Sequence, residues 1–100
     1  MVKVALFVRL QAKPGKEAAV ASFLESALAL ANQEATTPVW FALRLSQSTF
    51  GIFDAFADET GRSAHLAGPI AAALMANAAE LLSEPPQIEH VDVLAAKLSN

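Results

Sequence analysis

Two hydrophobic periodicities alternate along this chain, and their order is the feature that most limits the folds open to it. Apolar residues at every second position predict strands over residues 2–11, 39–46, 49–57 and 87–95. Apolar residues three or four apart predict a helix over residues 16–33 and another from Pro69 to just before Glu84. Between them, Asp58 as an N-cap predicts a short helix to about Leu66. The resulting order is βαββαβ, with the second helical region divided in two.

Residues that favour turns and caps separate these segments. Lys13-Pro14-Gly15 follows the first strand, Gln47-Ser48 joins the middle strands, and Gly68-Pro69 divides the last two helices. We expect Asp58 to cap the short helix, because an aspartate side chain accepts hydrogen bonds from first-turn amides. Together the order and the short middle turn predict an α+β, ferredoxin-like fold, with a four-stranded antiparallel sheet and helices on one face.

Length and composition narrow the class further. A chain of 100 residues is expected to form a single domain over residues 1–100. A net charge of −3, with no basic cluster, argues against nucleic acid as a partner. No apolar run approaches the roughly 20 residues of a membrane span, and no leader peptide is apparent, so we expect a cytoplasmic protein without a membrane partner. With no cysteine, disulfides and thiolate metal sites are excluded.

The predicted hairpin is apolar on both sides of the sheet. If Leu45 pairs with Phe50, one face carries Val39, Phe41, Leu43, Leu45, Phe50, Ile52 and Phe56, and the other carries Trp40, Ala42, Phe53 and Ala55. Helices cover only one face, and a large exposed apolar face is a binding site or a liability. We therefore expect a second identical sheet to cover it, forming a homodimer. A register shifted by one residue would exchange the partners in this hairpin.

Four short segments carry a resemblance to a known family over nearly the whole chain. They are Lys13-Pro14-Gly15-Lys16 before the first helix, Asp54-Ala55-Phe56 at the end of the third strand, Ala64-His65-Leu66 on the next helix, and Glu84-Pro85-Pro86 before the last strand. In this order and spacing the chain is similar to the antibiotic biosynthesis monooxygenases, which include quinol monooxygenases. The resemblance implies a ferredoxin-like homodimer, the dimeric α/β barrel, and an oxygenase that uses no cofactor, neither metal nor flavin.

The chain departs from the pattern of that family at two positions. The family usually has Glu where this chain has Asp54, and often Trp or Tyr where it has Phe56. The chain has no Tyr, so a mechanism that needs a phenol side chain is excluded. A related haem-degrading branch uses an axial His on its second long helix. Here that helix has none, which argues against haem degradation unless His65 were to serve instead.

His65 and Asp54 are the candidate catalytic residues. Such an oxygenase must deprotonate its phenolic substrate, and the ordinary pKa of histidine, about 6.5, suits proton transfer near neutral pH. Asp54 lies on an apolar strand, where a buried carboxylate needs a partner. It could orient His65 or act as the base itself. The alternatives are that His65 is an exposed helix residue without a role, and that Asp54 is a structural partner of a backbone amide or of Arg62.

Candidate substrate contacts come from three other residues. Trp40 and Phe56 could stack on an aromatic ring, and the guanidinium of Arg44 could bind an anionic oxygen. The alternatives are core or interface packing for the aromatic residues and, for Arg44 or Arg9, a salt bridge at the dimer interface or a charge exposed at the edge of the sheet. His90 and Asp92 share a strand face but lack a third ligand, so we expect no metal site.

Three functions are therefore open. The first is a cofactor-independent monooxygenase acting on a quinol or a polycyclic aromatic phenol. The second is a non-catalytic dimeric scaffold that binds a small apolar ligand or serves a stress response. The third is an isomerase or decarboxylase on the same fold, since one fold hosts many reactions. A pocket that holds His65 and Asp54 together would favour an enzyme, whereas a fully packed space between helices and sheet would favour the scaffold.

Overall fold

The computed structural model describes residues 1–98, which form a four-stranded sheet and three helices. In chain order these are β1 (Val4–Gln11), α1 (Glu17–Ala31), β2 (Val39–Arg44), β3 (Thr49–Phe56), α2 (Glu59–Leu66), α3 (Pro69–Leu81) and β4 (Gln87–Asp92). The strands lie in the order β2-β3-β1-β4, and all neighbouring pairs are antiparallel. The α+β, ferredoxin-like prediction is confirmed, with several predicted elements shortened by a few residues.

The main core lies between the helices and one face of the sheet. Alternate residues of β1 point into it, because side chains of a strand alternate between its two faces. The core consists of Val8, Leu10, Ala12, Val20, Leu24, Phe50, Ile52, Leu74 and Leu82, with Trp40 packed against its margin. Within residues 1–98, no helix has the length and apolar character needed to cross a membrane.

Local interactions fix where the helices begin and end. The carboxylate of Asp58 accepts a hydrogen bond of 3.0 Å from the amide of Gly61, so Asp58 caps α2 as predicted. Gly15, at φ +85, makes the turn before α1 in a conformation that favours glycine. The ammonium of Lys13 donates to the carbonyl of Ala79, 2.7 Å away, so this turn also holds the last turn of α3.

The predicted hairpin register was wrong by one residue. Phe50 pairs with Arg44 rather than Leu45, and Asp54 pairs with Trp40. A shift of one residue turns every side chain of β2 to the opposite face. Trp40 and Ala42 consequently share the helix-covered face with Asp54, whereas Phe41 lies on the open face.

The open face of the sheet carries its own apolar cluster. Val2, Ala5 and Ala55 are buried there, and Val39, Phe53, Val91 and Val93 pack around them. Phe41 stacks on Phe53 with ring centroids 6.5 Å apart, and 53% of Phe41 is exposed. The prediction that both faces are substantially apolar is therefore met, although the residues on each face differ from those expected.

Candidate functional site

The two predicted catalytic residues lie in contact. His65 projects from α2 and Asp54 from β3, with His65 Nε2 and Asp54 Oδ2 2.9 Å apart. The cap at Asp58 starts α2 immediately after β3, which places the next turns of the helix over that strand. The imidazole also lies edge-on to the ring of Phe56, with centroids 5.4 Å apart. Asp54 is fully buried and only 7% of His65 is exposed, so His65 is not an exposed helix residue.

A third residue completes this cluster and was not predicted. Glu34, in the connection between α1 and β2, places Oε1 2.7 Å from His65 Nδ1. Thr37 donates from its hydroxyl to the same carboxylate oxygen at 2.8 Å. The connection can approach α2 because Gly61 has no side chain: a Cβ there would lie 3.0 Å from the carbonyl oxygen of Thr36.

The two carboxylates determine the charge of the imidazole. Burial by itself lowers the pKa of His65, but the contacts with Asp54 and Glu34 outweigh it and raise the pKa to about 8. The ring is therefore mostly protonated at neutral pH. Both of its N–H groups face carboxylates, so His65 in this arrangement has no free nitrogen with which to take a proton from a substrate.

Asp54 is the less satisfied member of the cluster. Its Oδ2 contacts the imidazole without an aligned hydrogen bond, and its Oδ1 has no hydrogen-bond donor among residues 1–98. The indole Nε1 of Trp40 is likewise buried without an acceptor in the same part of the chain. Because Trp40 lies directly opposite Asp54 in the β2–β3 pair, both unpartnered atoms belong to the same face of the sheet.

A groove that Trp40 helps to line lies between α1 and β2. It consists of two adjoining cavities of about 140 and 290 Å³ that share Leu24, Glu25 and Ala42. Trp40 lines the larger cavity and Arg44 the smaller one. Two of the three predicted substrate contacts therefore line one groove.

Phe56, the third predicted substrate contact, does not reach this groove. It is fully buried and packs against the ring of His65. The guanidinium of Arg44 lies 4.7 Å from the ring centroid of Phe50 and donates to the carbonyl of Gln47 at 3.1 Å. Arg44 is exposed, so it remains accessible to a ligand in the groove.

The remaining charged candidates lie apart from the groove. Arg62 is not the partner of Asp54: it pairs with Glu59 and donates to the carbonyls of Ala5 (3.1 Å) and Val91 (3.3 Å). Arg9 lies over the ring of Phe7, 5.5 Å from its centroid. Within residues 1–98, no three His, Cys, Asp or Glu side chains are arranged to hold a metal ion.

A third cavity, of about 520 Å³, lies between α3 and the connection to β4. Lys13, Met75, Ser83, Pro85 and Pro86 are among its lining residues. None of the predicted site residues lines it.

The fold defines the class of protein: a small α+β domain with a ferredoxin-like, four-stranded antiparallel sheet. Two solved structures with this fold are described as "putative antibiotic biosynthesis monooxygenase". The one from Nitrosomonas europaea has a TM-score of 0.81 at 15% identity and covers 92% of this chain and 90% of its own. The one from Caulobacter crescentus has a TM-score of 0.79 at 16% identity and covers 94% and 92%. At these identities the likeness shows the fold alone.

A further solved structure is similar enough in sequence to show that it and this chain are members of one family. The NE2512 protein of Nitrosomonas europaea, a protein of unknown function, is 70% identical, has a TM-score of 0.98, and covers 100% of this chain and 97% of its own. The chain belongs to the same family as NE2512. No protein-family model and no curated protein matches the sequence.

Proposed function

We propose that this chain is a cofactor-independent monooxygenase that oxidises a quinol or a polycyclic aromatic phenol with molecular oxygen. One observation carries the proposal: Trp40 lines the groove between α1 and β2 and lies directly opposite Asp54 of the buried Asp54–His65 pair. An aromatic surface for a substrate is thereby placed next to a carboxylate in contact with an imidazole. The fold shared with structures described as antibiotic biosynthesis monooxygenases supports the same class.

The reaction needs a base, a group that holds an anionic oxygen, and a dry site. A phenolate can give an electron to oxygen. One oxygen atom then replaces the hydrogen of a ring C–H, and that carbon and the phenol carbon become the two carbonyls of a quinone. The other oxygen atom leaves as water with the ring hydrogen and the hydroxyl hydrogen, so the substrate supplies all four electrons. The proton of the substrate hydroxyl passes to Asp54, because His65 is already protonated between two carboxylates. His65 acts as a positioning residue that orients Asp54.

The other end of the groove supplies a positive charge. Arg44 lines the smaller cavity, which adjoins the cavity lined by Trp40. A guanidinium binds anionic oxygen with directed hydrogen bonds. Arg44 is therefore placed to hold the second oxygen of a quinol or an oxygen substituent on a neighbouring ring, while Trp40 packs against the rings.

We also propose that two copies associate through the open faces of their sheets. Phe41 and Phe53 form a stacked aromatic pair on that face, and Phe41 is half exposed. Covering these rings removes apolar area from water, at roughly 25 cal/mol for each Å². Phe41 also lines the larger cavity of the groove between α1 and β2, so this dimer contact would adjoin the groove.

A second candidate function is ligand binding without catalysis. One observation favours it: both ring nitrogens of His65 already contact carboxylates, so neither is free to take a proton from a ligand. In that case the cluster of Glu34, His65 and Asp54 stabilises the contact of α2 with the connection before β2, and the groove holds an apolar ligand.

Oxygen uptake by the metal-stripped protein tests the proposal. The panel consists of quinols and anthrol-type phenols, each with a protein-free control for spontaneous oxidation. The matched variants are Asp54→Asn and, in the separate cavity near α3, Met75→Leu. We expect uptake above background that falls at least about 100-fold in Asp54→Asn, the usual scale for a general base, and is unchanged in Met75→Leu.

Other outcomes of this assay reject the monooxygenase. Substrate consumption without oxygen uptake would indicate an isomerase or a decarboxylase. Binding of the panel without consumption would favour the ligand-binding protein.

A further inference from the structure

Two buried polar atoms on neighbouring strands are left without partners. They are Nε1 of Trp40 and Oδ1 of Asp54, neither of which has a hydrogen-bond partner among residues 1–98. The two residues are directly opposed in the β2–β3 pair, where opposed Cβ atoms lie about 4.5–5.5 Å apart. Buried polar groups in native proteins are nearly always hydrogen-bonded, so an unpartnered pair in one place calls for an explanation.

The chemistry of the two atoms is complementary to one functional group. An indole nitrogen only donates a hydrogen bond, and a carboxylate oxygen only accepts one. A single group can satisfy both if it accepts from Trp40 and donates to Asp54. A hydroxyl does this, whereas an ether or a carbonyl lacks the donor and an ammonium lacks the acceptor.

The surroundings restrict what can carry that hydroxyl. Trp40 lines the cavity of about 290 Å³ together with the apolar residues Leu24, Leu28, Phe41 and Ala42 and one acidic residue, Glu25. Leu28 is 49% exposed and Ala42 is exposed at the edge of the sheet, so this cavity opens to solvent. An apolar cavity beside an indole favours a flat aromatic ring.

We propose that Trp40 and Asp54 form a subsite for the hydroxyl of an aromatic alcohol bound in the groove between α1 and β2. This inference rests on the proposed function and narrows it: the hydroxyl that loses its proton is the one between these two residues. Trp40 acts as a specificity residue that accepts phenols and rejects their ethers. Asp54 is fully buried and is not among the residues that line the cavity, so the hydroxyl reaches it only if side chains lining the cavity move.

The test uses 2-naphthol and 2-methoxynaphthalene, which differ in the hydroxyl hydrogen. Binding to the full chain is measured by titration calorimetry. Because the sequence has one Trp, the indole N–H gives a single, unambiguous signal in a ¹⁵N-labelled sample. We expect 2-naphthol to bind at least about tenfold more tightly than its ether, the scale of one hydrogen bond to a charged group. The indole signal is expected to move downfield with naphthol.

Variants show whether the preference comes from these two residues. Trp40→Phe keeps a ring but removes the donor, and Asp54→Asn removes the charge; each is expected to reduce the naphthol preference severalfold. Met75→Leu, in the other cavity, is expected to retain it. If Asp54→Asn does not fold, the affinities of 2-naphthol and 2-methoxynaphthalene for the unaltered protein and for Trp40→Phe still test the subsite.

Several results would overturn the subsite. The first is equal affinity for 2-naphthol and its ether. The second is an indole N–H signal that does not move when naphthol is added. The third is an indole N–H that is already hydrogen-bonded in the free protein, shown by a signal that moves in Asp54→Asn without ligand. The subsite and the proposed reaction fail separately. Selective naphthol binding without oxygen uptake leaves the subsite and removes the monooxygenase. Oxygen uptake with 2-naphthol by a protein that binds 2-naphthol and its ether with equal affinity leaves the monooxygenase and removes the subsite.

Discussion

Glu34 and Asp54 contact the same imidazole from opposite sides, with Glu34 Oε1 2.7 Å from Nδ1 and Asp54 Oδ2 2.9 Å from Nε2 of His65. Glu34 belongs to the connection before β2, Asp54 to β3, and His65 to α2. The protonated ring therefore links three parts of the chain that are separated in sequence. Neutralising the ring would leave two carboxylates facing it in a buried site, which is costly.

The first prediction concerns the pH dependence of stability. The pKa of His65 is raised from 6.5 to about 8 in the folded protein, so folding favours the protonated ring. The stabilisation is fully present below pH 6.5 and is lost as the pH rises through 8. A shift of this size corresponds to about 2 kcal/mol of unfolding free energy. Urea unfolding between pH 6 and pH 9 measures it.

The control for this prediction is His90→Gln, which changes an exposed histidine on β4. We expect this variant to keep the loss of stability above pH 7, and His65→Gln to lose most of it. A stability profile that stays flat from pH 6 to pH 9 in the unaltered protein would contradict the charge assignment of the cluster.

The second prediction concerns Glu34, which contributes to the raised pKa. Replacing it by Gln removes one of the two carboxylates that stabilise the imidazolium, while burial still opposes the charge. We expect the pKa of His65 to fall in Glu34→Gln. The proton signals of the imidazole, followed by NMR against pH, report this directly, and the His90 signals in the same spectra serve as the internal reference.

Glu25→Gln provides the matched control, because Glu25 is an exposed glutamate on α1 that lines the groove and does not contact His65. The pKa of His65 should be unchanged in that protein. An equal fall in both variants would mean that overall charge, rather than the contact with Glu34, sets the pKa.

The third prediction tests the close approach of the connection before β2 to α2. Alanine normally favours a helix over glycine by about 1 kcal/mol. At Gly61, however, the added Cβ would lie 3.0 Å from the carbonyl oxygen of Thr36, a backbone atom that cannot easily move. We expect Gly61→Ala to lower the free energy of unfolding by about 1–3 kcal/mol. Thr60→Ala, at an exposed position of the same helix, should be neutral or slightly stabilising. Equal stability of the two variants would show that the connection before β2 can move away from the added Cβ.

The sequence allowed the fold to be predicted because the signals for it are local. Alternation marks β1, the cap at Asp58 marks α2, and Pro69 marks the start of α3. The register of the hairpin was not predictable in the same way. Both Leu45 and Arg44 are plausible partners of Phe50 when both sheet faces are apolar, since patterning specifies register only where the faces differ.

The site was predictable in part for the same reason. Asp54 stands out as a carboxylate on an apolar strand, whereas His65 was chosen from the family resemblance and the ordinary pKa of histidine; the structure brings the two into contact. Glu34 gave no such signal, because it lies in a polar connection whose position depends on the glycine at 61 and not on any periodicity. The orientation of Trp40 toward the helices followed from the register and was therefore missed with it.

The fourth prediction concerns association through the open face of the sheet. Phe41 is half exposed and stacks on Phe53, so a charge at position 41 adds little strain to the single chain but opposes burial against a second copy. We expect the unaltered protein to sediment as a dimer and Phe41→Lys to sediment as a monomer with the same circular dichroism. Met75→Lys places the same charge on an exposed residue of α3 and should remain dimeric, because that helix lies on the other side of the sheet. A monomeric unaltered protein, or a dimer broken by Met75→Lys and not by Phe41→Lys, would place the contact elsewhere.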